Sequence, residues 1–115
     1  YGHFIDGRHV AGTSGRLTPV FNPSQGAIKA EVTLATRAEV ERAIASAAAA
    51  QVNWAQVNPQ RRARVMFAFK ALVEANMDSL ARLLSEEHGK VLADARGDIQ
   101  RGLEVIEFAC GIPHL

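Results

Sequence analysis

Apolar and polar residues alternate in short runs along the first third of the chain. Residues 3–10 alternate around Asp6 and Gly7, a dipeptide that tolerates the positive φ angles of a tight hairpin turn. Residues 17–21 and 27–34 form a second pair of runs, separated by the turn-forming stretch Asn-Pro-Ser-Gln-Gly. The pattern therefore predicts two small antiparallel β-ribbons.

From Thr36 onwards the apolar residues follow a helical period. Thr36 and Glu39 have the spacing of a capping box, in which each side chain accepts a hydrogen bond from the backbone N–H of the other residue. Apolar positions then recur at three- and four-residue steps, at Val40, Ala43, Ile44, Ala47 and Ala48. We expect Trp54 to anchor the end of this helix in the core.

Further helices are predicted in the second half of the chain. Asn58 and Pro59 form an N-cap followed by a first-turn proline. Asp78 is a candidate cap for a continuation, and Gly89 has the position of a C-terminal cap. A last helix at residues 92–110 places six apolar residues on one side, namely Leu92, Ala95, Ile99, Leu103, Ile106 and Cys110. The predicted fold class is therefore α+β, with two antiparallel ribbons followed by three or four helices.

The helix predicted at residues 58–73 is apolar on nearly every side. Its main stripe consists of Val65, Ala68, Phe69 and Leu72, and Met66 and Val73 widen it. Such a helix is normally covered on several sides, and two ribbons with a few helices cannot provide that cover. We therefore treat residues 1–115 as an incomplete domain, without an internal domain boundary, that packs against other sequence of the same protein or a sister subunit.

Composition limits the classes of partner. The 115 residues have a formal net charge of +1, whereas binding to nucleic acid or an anionic membrane requires a concentrated basic face. The basic run at residues 61–64 begins a helix and is expected to face solvent. A single cysteine fits a reducing compartment, which favours a cytoplasmic location. No apolar run approaches the roughly 20 residues that span a bilayer.

The chain contains no complete active site. Cys110 is the only thiol, and it falls at a helix C-terminus, whereas a reactive thiolate needs a helix N-terminus or a neighbouring cation. We therefore predict that Cys110 is buried and structural. The four histidines form no metal-ligand spacing, and no glycine-rich phosphate loop follows a strand. We assign no catalytic, metal-binding or cofactor-binding residue to this chain.

The glycines near the last helix require an explanation. Gly89 and Lys90 indicate either a helix end followed by a solvent-facing lysine or a phosphate contact, although no cluster of backbone N–H groups supports the latter. Gly97 and Gly102 lie inside the last helix, where each costs about 1 kcal/mol relative to alanine. A helix normally contains such glycines where another backbone or a ligand crosses closely.

The order of these segments resembles the amino-terminal region of the aldehyde dehydrogenase superfamily along essentially the whole chain. The matching stretches include FIDGRHV, VFNPSQGAIKAEV, RRARVMFAFKALVEAN and the helix break EEHGK. The stretch ADARGDIQRGLEVIEFAC is more specific and is similar to the CoA-acylating methylmalonate-semialdehyde dehydrogenases. Other members of the superfamily usually carry an aromatic pair where Glu107 and Phe108 stand.

The resemblance implies that the chain is part of an α/β enzyme, a homo-oligomer that uses NAD. Such enzymes oxidise a semialdehyde through a cysteine thioester, and this subgroup transfers the acyl group to CoA. Their nucleophile and their NAD site belong to sequence that this chain does not contain. Two alternatives remain: the amino-terminal part of another NAD(P)-dependent aldehyde dehydrogenase, or a non-catalytic assembly module.

Arg101 is the one candidate substrate-binding residue. The substrate implied by the resemblance carries a carboxylate beside its aldehyde, and in the family this helix lines the substrate entrance. The planar guanidinium of arginine can hold a carboxylate through two parallel hydrogen bonds, and Gly102 leaves room for a ligand. The alternative is a structural arginine that pairs with Asp98 or Glu104, each three residues away on the same helix.

Overall fold

The computed structural model describes all residues from Tyr1 to Leu115. The chain forms two compact units, Tyr1–Gln56 and Val57–Leu115. The first unit contains both predicted ribbons and the first helix, and the second contains the remaining helices. No linker rich in proline, glycine or serine signals this division in the sequence.

The first ribbon consists of β1 (His3–Ile5) and β2 (Arg8–Val10), which pair antiparallel. Asp6 and Gly7 have φ angles of 55° and 72°, so both turn residues adopt the left-handed conformation. This confirms the hairpin predicted from the Asp-Gly pair.

The second ribbon consists of β3 (Leu17–Phe21) and β4 (Ile28–Thr33), again antiparallel, with a register irregularity between Val20 and Phe21. Pro19 of β3 lies opposite Glu31 of β4. On the other edge of β4, Tyr1 bonds through its nitrogen to the carbonyl of Glu31 and through its carbonyl to the N–H of Thr33. The edge of β4 that faces away from β3 is therefore partly paired.

Helix α1 (Arg37–Gln56) follows the second ribbon. Glu39 is its only fully buried residue, and residues 47–56 are all exposed. Trp54 is 43% exposed, so the expectation that it anchors the helix in the core is wrong for this unit. The reason is local, because Trp54 belongs to the part of α1 that nothing in the first unit covers.

Three helices make up most of the second unit: α2 (Pro59–Ala75), α3 (Met77–His88) and α4 (Leu92–Gly111), followed by a short 3₁₀ helix at Ile112–His114. The Asn58 side chain caps α2 by accepting a hydrogen bond from the Gln60 N–H at 2.9 Å, as predicted. Asp78 lies in the first turn of α3, whose N-cap is Asn76, so Asp78 is not the cap.

Helix α4 packs against both α2 and α3, and its inward side was largely predicted. Ala95, Leu103 and Cys110 are buried, while Ile99 and Ile106 are half-buried. Leu92 is exposed, contrary to the prediction, and it is the first residue of the helix. The buried positions that α2 and α3 contribute are alanines, Ala63 and Ala81, and such short side chains let helices approach closely.

Helix α2 uses only one of its apolar sides within the unit. Ala63 is buried and Met66 and Val73 are half-buried, so this side packs inward. The stripe that dominates the sequence pattern is exposed, at Val65, Ala68, Phe69 and Leu72. The predicted lack of cover on this helix is therefore present in the structure. None of the helices combines the length and the hydropathy needed to cross a bilayer.

Candidate functional site

The candidate substrate-binding residue lies on α4, just after the connection from α3. Helix α3 ends at Gly89, which has a φ angle of 82° and donates its N–H to the Ser85 carbonyl at 2.8 Å. This left-handed cap confirms the predicted helix stop. Val91 is extended and begins α4, and Arg96 of α4 contacts Asp78 of α3 at 2.8 Å. The connection between the two helices is therefore short and fixed on both sides.

Lys90 does not point freely into solvent. Its side chain is 21% exposed, and its Nζ donates a hydrogen bond to Oδ2 of Asp98. Asp98 lies in the second turn of α4. The prediction of a solvent-facing lysine is therefore wrong, and the alternative of a phosphate contact stays a prediction. Lys90 joins the helix connection to α4 through an ion pair.

Asp98 binds two cations at once. Its Oδ2 accepts from Lys90, and its Oδ1 accepts from Nη2 of Arg101. The hydrogen bond from Lys90 is the main cause that lowers the pKa of Asp98, and Arg101 adds to it, while partial burial opposes both. Asp98 is therefore held as a carboxylate between two positive groups.

Arg101 forms the ion pair with Asp98 that is expected of a structural arginine on this helix. Most of its guanidinium nevertheless remains accessible to solvent. Its side chain is 69% exposed. Its Nη1 lies 3.8 Å from the place that a Cβ would occupy on Gly97, so the guanidinium lies over that glycine. One nitrogen faces Asp98, and the other N–H groups of the fork remain available to a second carboxylate. The assignment of Arg101 to substrate binding stays a prediction.

Gly97 and Gly102, the two glycines in the interior of α4, have no backbone of the second unit against them. A Cβ on Gly102 would meet no atom within 4 Å, and a Cβ on Gly97 would meet only the Arg101 side chain. No backbone of the second unit lies within 4 Å of such a Cβ at either position. Their expected role in close packing against other parts of the protein therefore stays a prediction.

Cys110 is 5% exposed and has a free thiol, which confirms its predicted burial. It lies beside an open concave surface that also contains Glu107 and His114. No hydrogen bond links the Cys110 thiol to either side chain. A nucleophilic thiol needs a positioned base, and this arrangement does not supply one. No group of three potential metal-ligating side chains occurs in the structure.

Glu39 is the most buried carboxylate of the chain. We call the cluster that it forms with Thr13 and Thr36 the Glu39 clasp. Oε2 accepts from the N–H and Oγ1 of Thr36 at 2.7 and 2.8 Å. Oε1 accepts from the N–H and Oγ1 of Thr13 at 2.9 and 3.0 Å. The backbone hydrogen bond from Thr36 is the largest cause that lowers the pKa of Glu39 from 4.5 to about 2, and it outweighs the opposing effect of burial.

The Glu39 clasp is structural and not a general base. Both carboxylate oxygens are occupied by donors, and a pKa of about 2 leaves little affinity for a proton near neutral pH. His3 lies nearby, with Nε2 4.0 Å from Glu39 Oε2. A Cβ on Gly12 would overlap the Thr33 Cγ2 and come within 3.0 Å of His3 Nε2. The capping box signalled half of this cluster, but nothing in the sequence signalled the contact from Thr13.

Comparison with known proteins supplies a family. The sequence profile of the Aldehyde dehydrogenase family matches residues 9–114. Malonate-semialdehyde dehydrogenase 3 of Geobacillus kaustophilus is 46% identical over 113 residues, which is 98% of this chain and 23% of that protein. The chain thus spans about a quarter of the length of the curated relatives that it matches, and it corresponds to their amino-terminal part.

Solved structures of aldehyde dehydrogenases are also similar to this chain. A protein from Sinorhizobium meliloti, provisionally named a methylmalonate-semialdehyde dehydrogenase and crystallised with NAD, is 57% identical with a TM-score of 0.93. Methylmalonate-semialdehyde dehydrogenase from Oceanimonas doudoroffii is 46% identical, also with a TM-score of 0.93. Each comparison covers 98% of this chain and 23% of the other. Both ribbons and all four helices therefore have counterparts in these structures.

Proposed function

Because the chain belongs to the aldehyde dehydrogenase family, we propose that it forms the amino-terminal part of an NAD-dependent, CoA-acylating methylmalonate-semialdehyde dehydrogenase. The observation that carries this proposal is the 57% identity, over 98% of the chain, to the Sinorhizobium meliloti protein crystallised with NAD. The malonate-semialdehyde dehydrogenase relative supports the same substrate class, since malonate semialdehyde also carries a carboxylate beside its aldehyde.

In this function a cysteine thiolate adds to the aldehyde carbon, the resulting hemithioacetal loses a hydride, and the thioester passes its acyl group to CoA. NAD supplies the hydride acceptor. We assign the nucleophile and the NAD site to parts of the protein outside these 115 residues. Cys110 does not fit the nucleophile, because it is buried and has no hydrogen-bonded base.

The contribution of this chain to the reaction is recognition of the substrate carboxylate by Arg101. The guanidinium is fixed on one side by Asp98 and is otherwise exposed. A substrate carboxylate can therefore reach the free N–H groups of the fork without first displacing a packed side chain. A charge-assisted, two-point contact would favour a carboxylated aldehyde over an uncharged one of similar size.

The test is Arg101→Leu in the full-length protein, assayed with methylmalonate semialdehyde and with propanal, which lacks the carboxylate. We expect a loss of about 1.5–3 kcal/mol in transition-state stabilisation, the size of a hydrogen bond to a charged group, for the carboxylated aldehyde only. Cys110→Ala serves as the control and should leave turnover of both aldehydes intact. Equal losses on the two aldehydes in Arg101→Leu would show that Arg101 supports the fold and does not contact the substrate.

The uncovered side of α2 supports a further part of the proposal. Val65, Ala68, Phe69 and Leu72 together form an exposed apolar face on one helix, and exposed faces of this kind mark contacts. We assign this face to the remainder of the protein or to a sister subunit of a homo-oligomer. The free thiol of Cys110 is consistent with a cytoplasmic location.

A further inference from the structure

We propose that Lys90 is a positioning residue for carboxylate recognition, which holds the Asp98 carboxylate so that Arg101 keeps donors open to the substrate. This inference rests on the function proposed above and concerns the charges around its candidate residue. It assigns a role to Lys90, the lysine of the connection between α3 and α4.

The three side chains form a layered cluster. Lys90 is the least exposed at 21%, Asp98 is intermediate at 32%, and Arg101 is the most exposed at 69%. Lys90 occupies Oδ2 of the carboxylate and Arg101 occupies Oδ1. The lysine and the aspartate therefore form an inner pair, and the arginine forms the outer group that meets solvent.

Lys90 and Arg101 each bind one oxygen of Asp98, and this arrangement limits how many hydrogen bonds Asp98 can accept from Arg101. A carboxylate with no other partner tends to bind a guanidinium through both oxygens, in two parallel hydrogen bonds. If Lys90 were neutral, Asp98 could turn both oxygens to Arg101 and occupy the fork that the substrate requires. Lys90 prevents this by holding Oδ2, which leaves Arg101 with a one-point contact.

The charge balance acts in the same direction. Lys90, Asp98 and Arg101 together carry two positive charges and one negative charge, so an incoming carboxylate meets a net positive cluster. Without the lysine charge it would meet a neutral pair. Lys90 is kept in place by the left-handed Gly89 before it and the extended Val91 after it, which fix the helix connection.

The experiment is Lys90→Gln in the full-length protein, with KM and kcat measured for methylmalonate semialdehyde and for propanal. We expect KM for the carboxylated aldehyde to rise about two- to fivefold, the range for one partly exposed charge interaction, with KM for propanal unchanged. Lys90→Arg keeps the charge and should restore most of the affinity. Lys70→Gln is a matched control, since Lys70 is also a partly exposed lysine in an ion pair, with Glu74, but lies outside the cluster.

A second substitution tests the proposed competition directly. Adding Asp98→Asn to Lys90→Gln removes the carboxylate that would occupy Arg101, so KM for methylmalonate semialdehyde should fall back towards the wild-type value. No recovery in this double variant, or an equal change of KM for both aldehydes in Lys90→Gln, overturns the inference. If Arg101→Leu is selective and Lys90→Gln is not, only the role of Lys90 is wrong. If Arg101→Leu is itself unselective, the proposed substrate contact fails as well.

Discussion

Glu39 and Asp98 are two carboxylates of the same chain that are held in opposite ways. Glu39 is 4% exposed, and neutral N–H and hydroxyl groups of Thr13 and Thr36 fill both of its oxygens. Asp98 is partly exposed and lies between two cations on long side chains. Donors fixed by the backbone make a closed structural contact, whereas charged side chains make a contact whose partners can be exchanged.

The comparison shows that a lowered pKa does not by itself identify a functional carboxylate. The pKa of both groups is lowered, but the main cause is a backbone N–H for Glu39 and a lysine for Asp98. What distinguishes the two clusters is that Arg101, beside Asp98, keeps unoccupied donors at the surface. The open partner, and not the shifted carboxylate, marks the candidate binding site.

Removing the charge of Glu39 tests the difference between the two carboxylates with the largest expected effect. In Glu39→Gln an amide NH₂ replaces one oxygen, so the threonine backbone N–H that donated to that oxygen loses its acceptor, and the neutral amide accepts the remaining hydrogen bonds more weakly than a carboxylate. We expect a large fall in the melting temperature of the full-length protein. Glu41→Gln is the matched control, because Glu41 makes an exposed i,i+4 pair with Arg37 on the same helix and should cost little. Equal effects of the two substitutions would contradict the structural role of the Glu39 clasp.

Acid should open the Glu39 clasp reversibly. The folded-state pKa of Glu39 is about 2 against an ordinary value of 4.5, so the carboxylate stabilises the fold fully above about pH 4.5. That contribution is lost as the pH falls from about 4.5 to about 2. Melting temperatures measured over this range should fall more steeply for the wild type than for Glu39→Gln. Parallel curves for the two proteins would show that Glu39 is not the group that titrates.

Two glycine substitutions, one beside each cluster, are expected to have the smallest effects on the free energy of unfolding. In Gly12→Ala the new methyl group overlaps Thr33 beside the Glu39 clasp, and overpacking of this kind costs about 1–3 kcal/mol. In Gly97→Ala the methyl group lies 3.8 Å from Arg101 Nη1, an ordinary contact. Within this chain Gly97→Ala should therefore stabilise α4 by up to about 1 kcal/mol.

Chemical denaturation of the two alanine variants gives the difference in the free energy of unfolding. Destabilisation by Gly97→Ala in the full-length protein would show that another part of the protein crosses α4 at that glycine. Tolerance of Gly12→Ala would contradict the close packing around the Glu39 clasp.

Local signals in the sequence predicted the elements and part of each cluster. The capping box and the helix stop at Gly89 depend on residues within a few positions of each other, and both are confirmed. The contact from Thr13 to Glu39 joins residues 26 positions apart, and that of Lys90 to Asp98 crosses a helix break. Periodicity does not determine how loops and helix connections turn, so neither contact could be predicted.

The same limit explains the errors on the apolar positions. Helix α2 is apolar nearly all round, so its pattern cannot select which side packs, and the side of Ala63 and Met66 does so instead of the side of Phe69. The position of Trp54 at the end of an apolar-periodic helix predicts an anchor in the core. Its exposure depends on which elements surround the end of α1, and the sequence pattern contains no information on them.

The proline in β3 limits how the free edge of the second ribbon can pair with another strand. In β4, Glu31 directs its carbonyl to Tyr1, away from β3. Pro19 is the register partner of Glu31, so the place of its missing N–H lies on the outer edge of β3. Unpaired strand edges recruit strands of other molecules, and a proline there removes a donor that a recruited strand would need. We therefore expect Pro19 to disfavour pairing of this ribbon edge with a strand of another molecule.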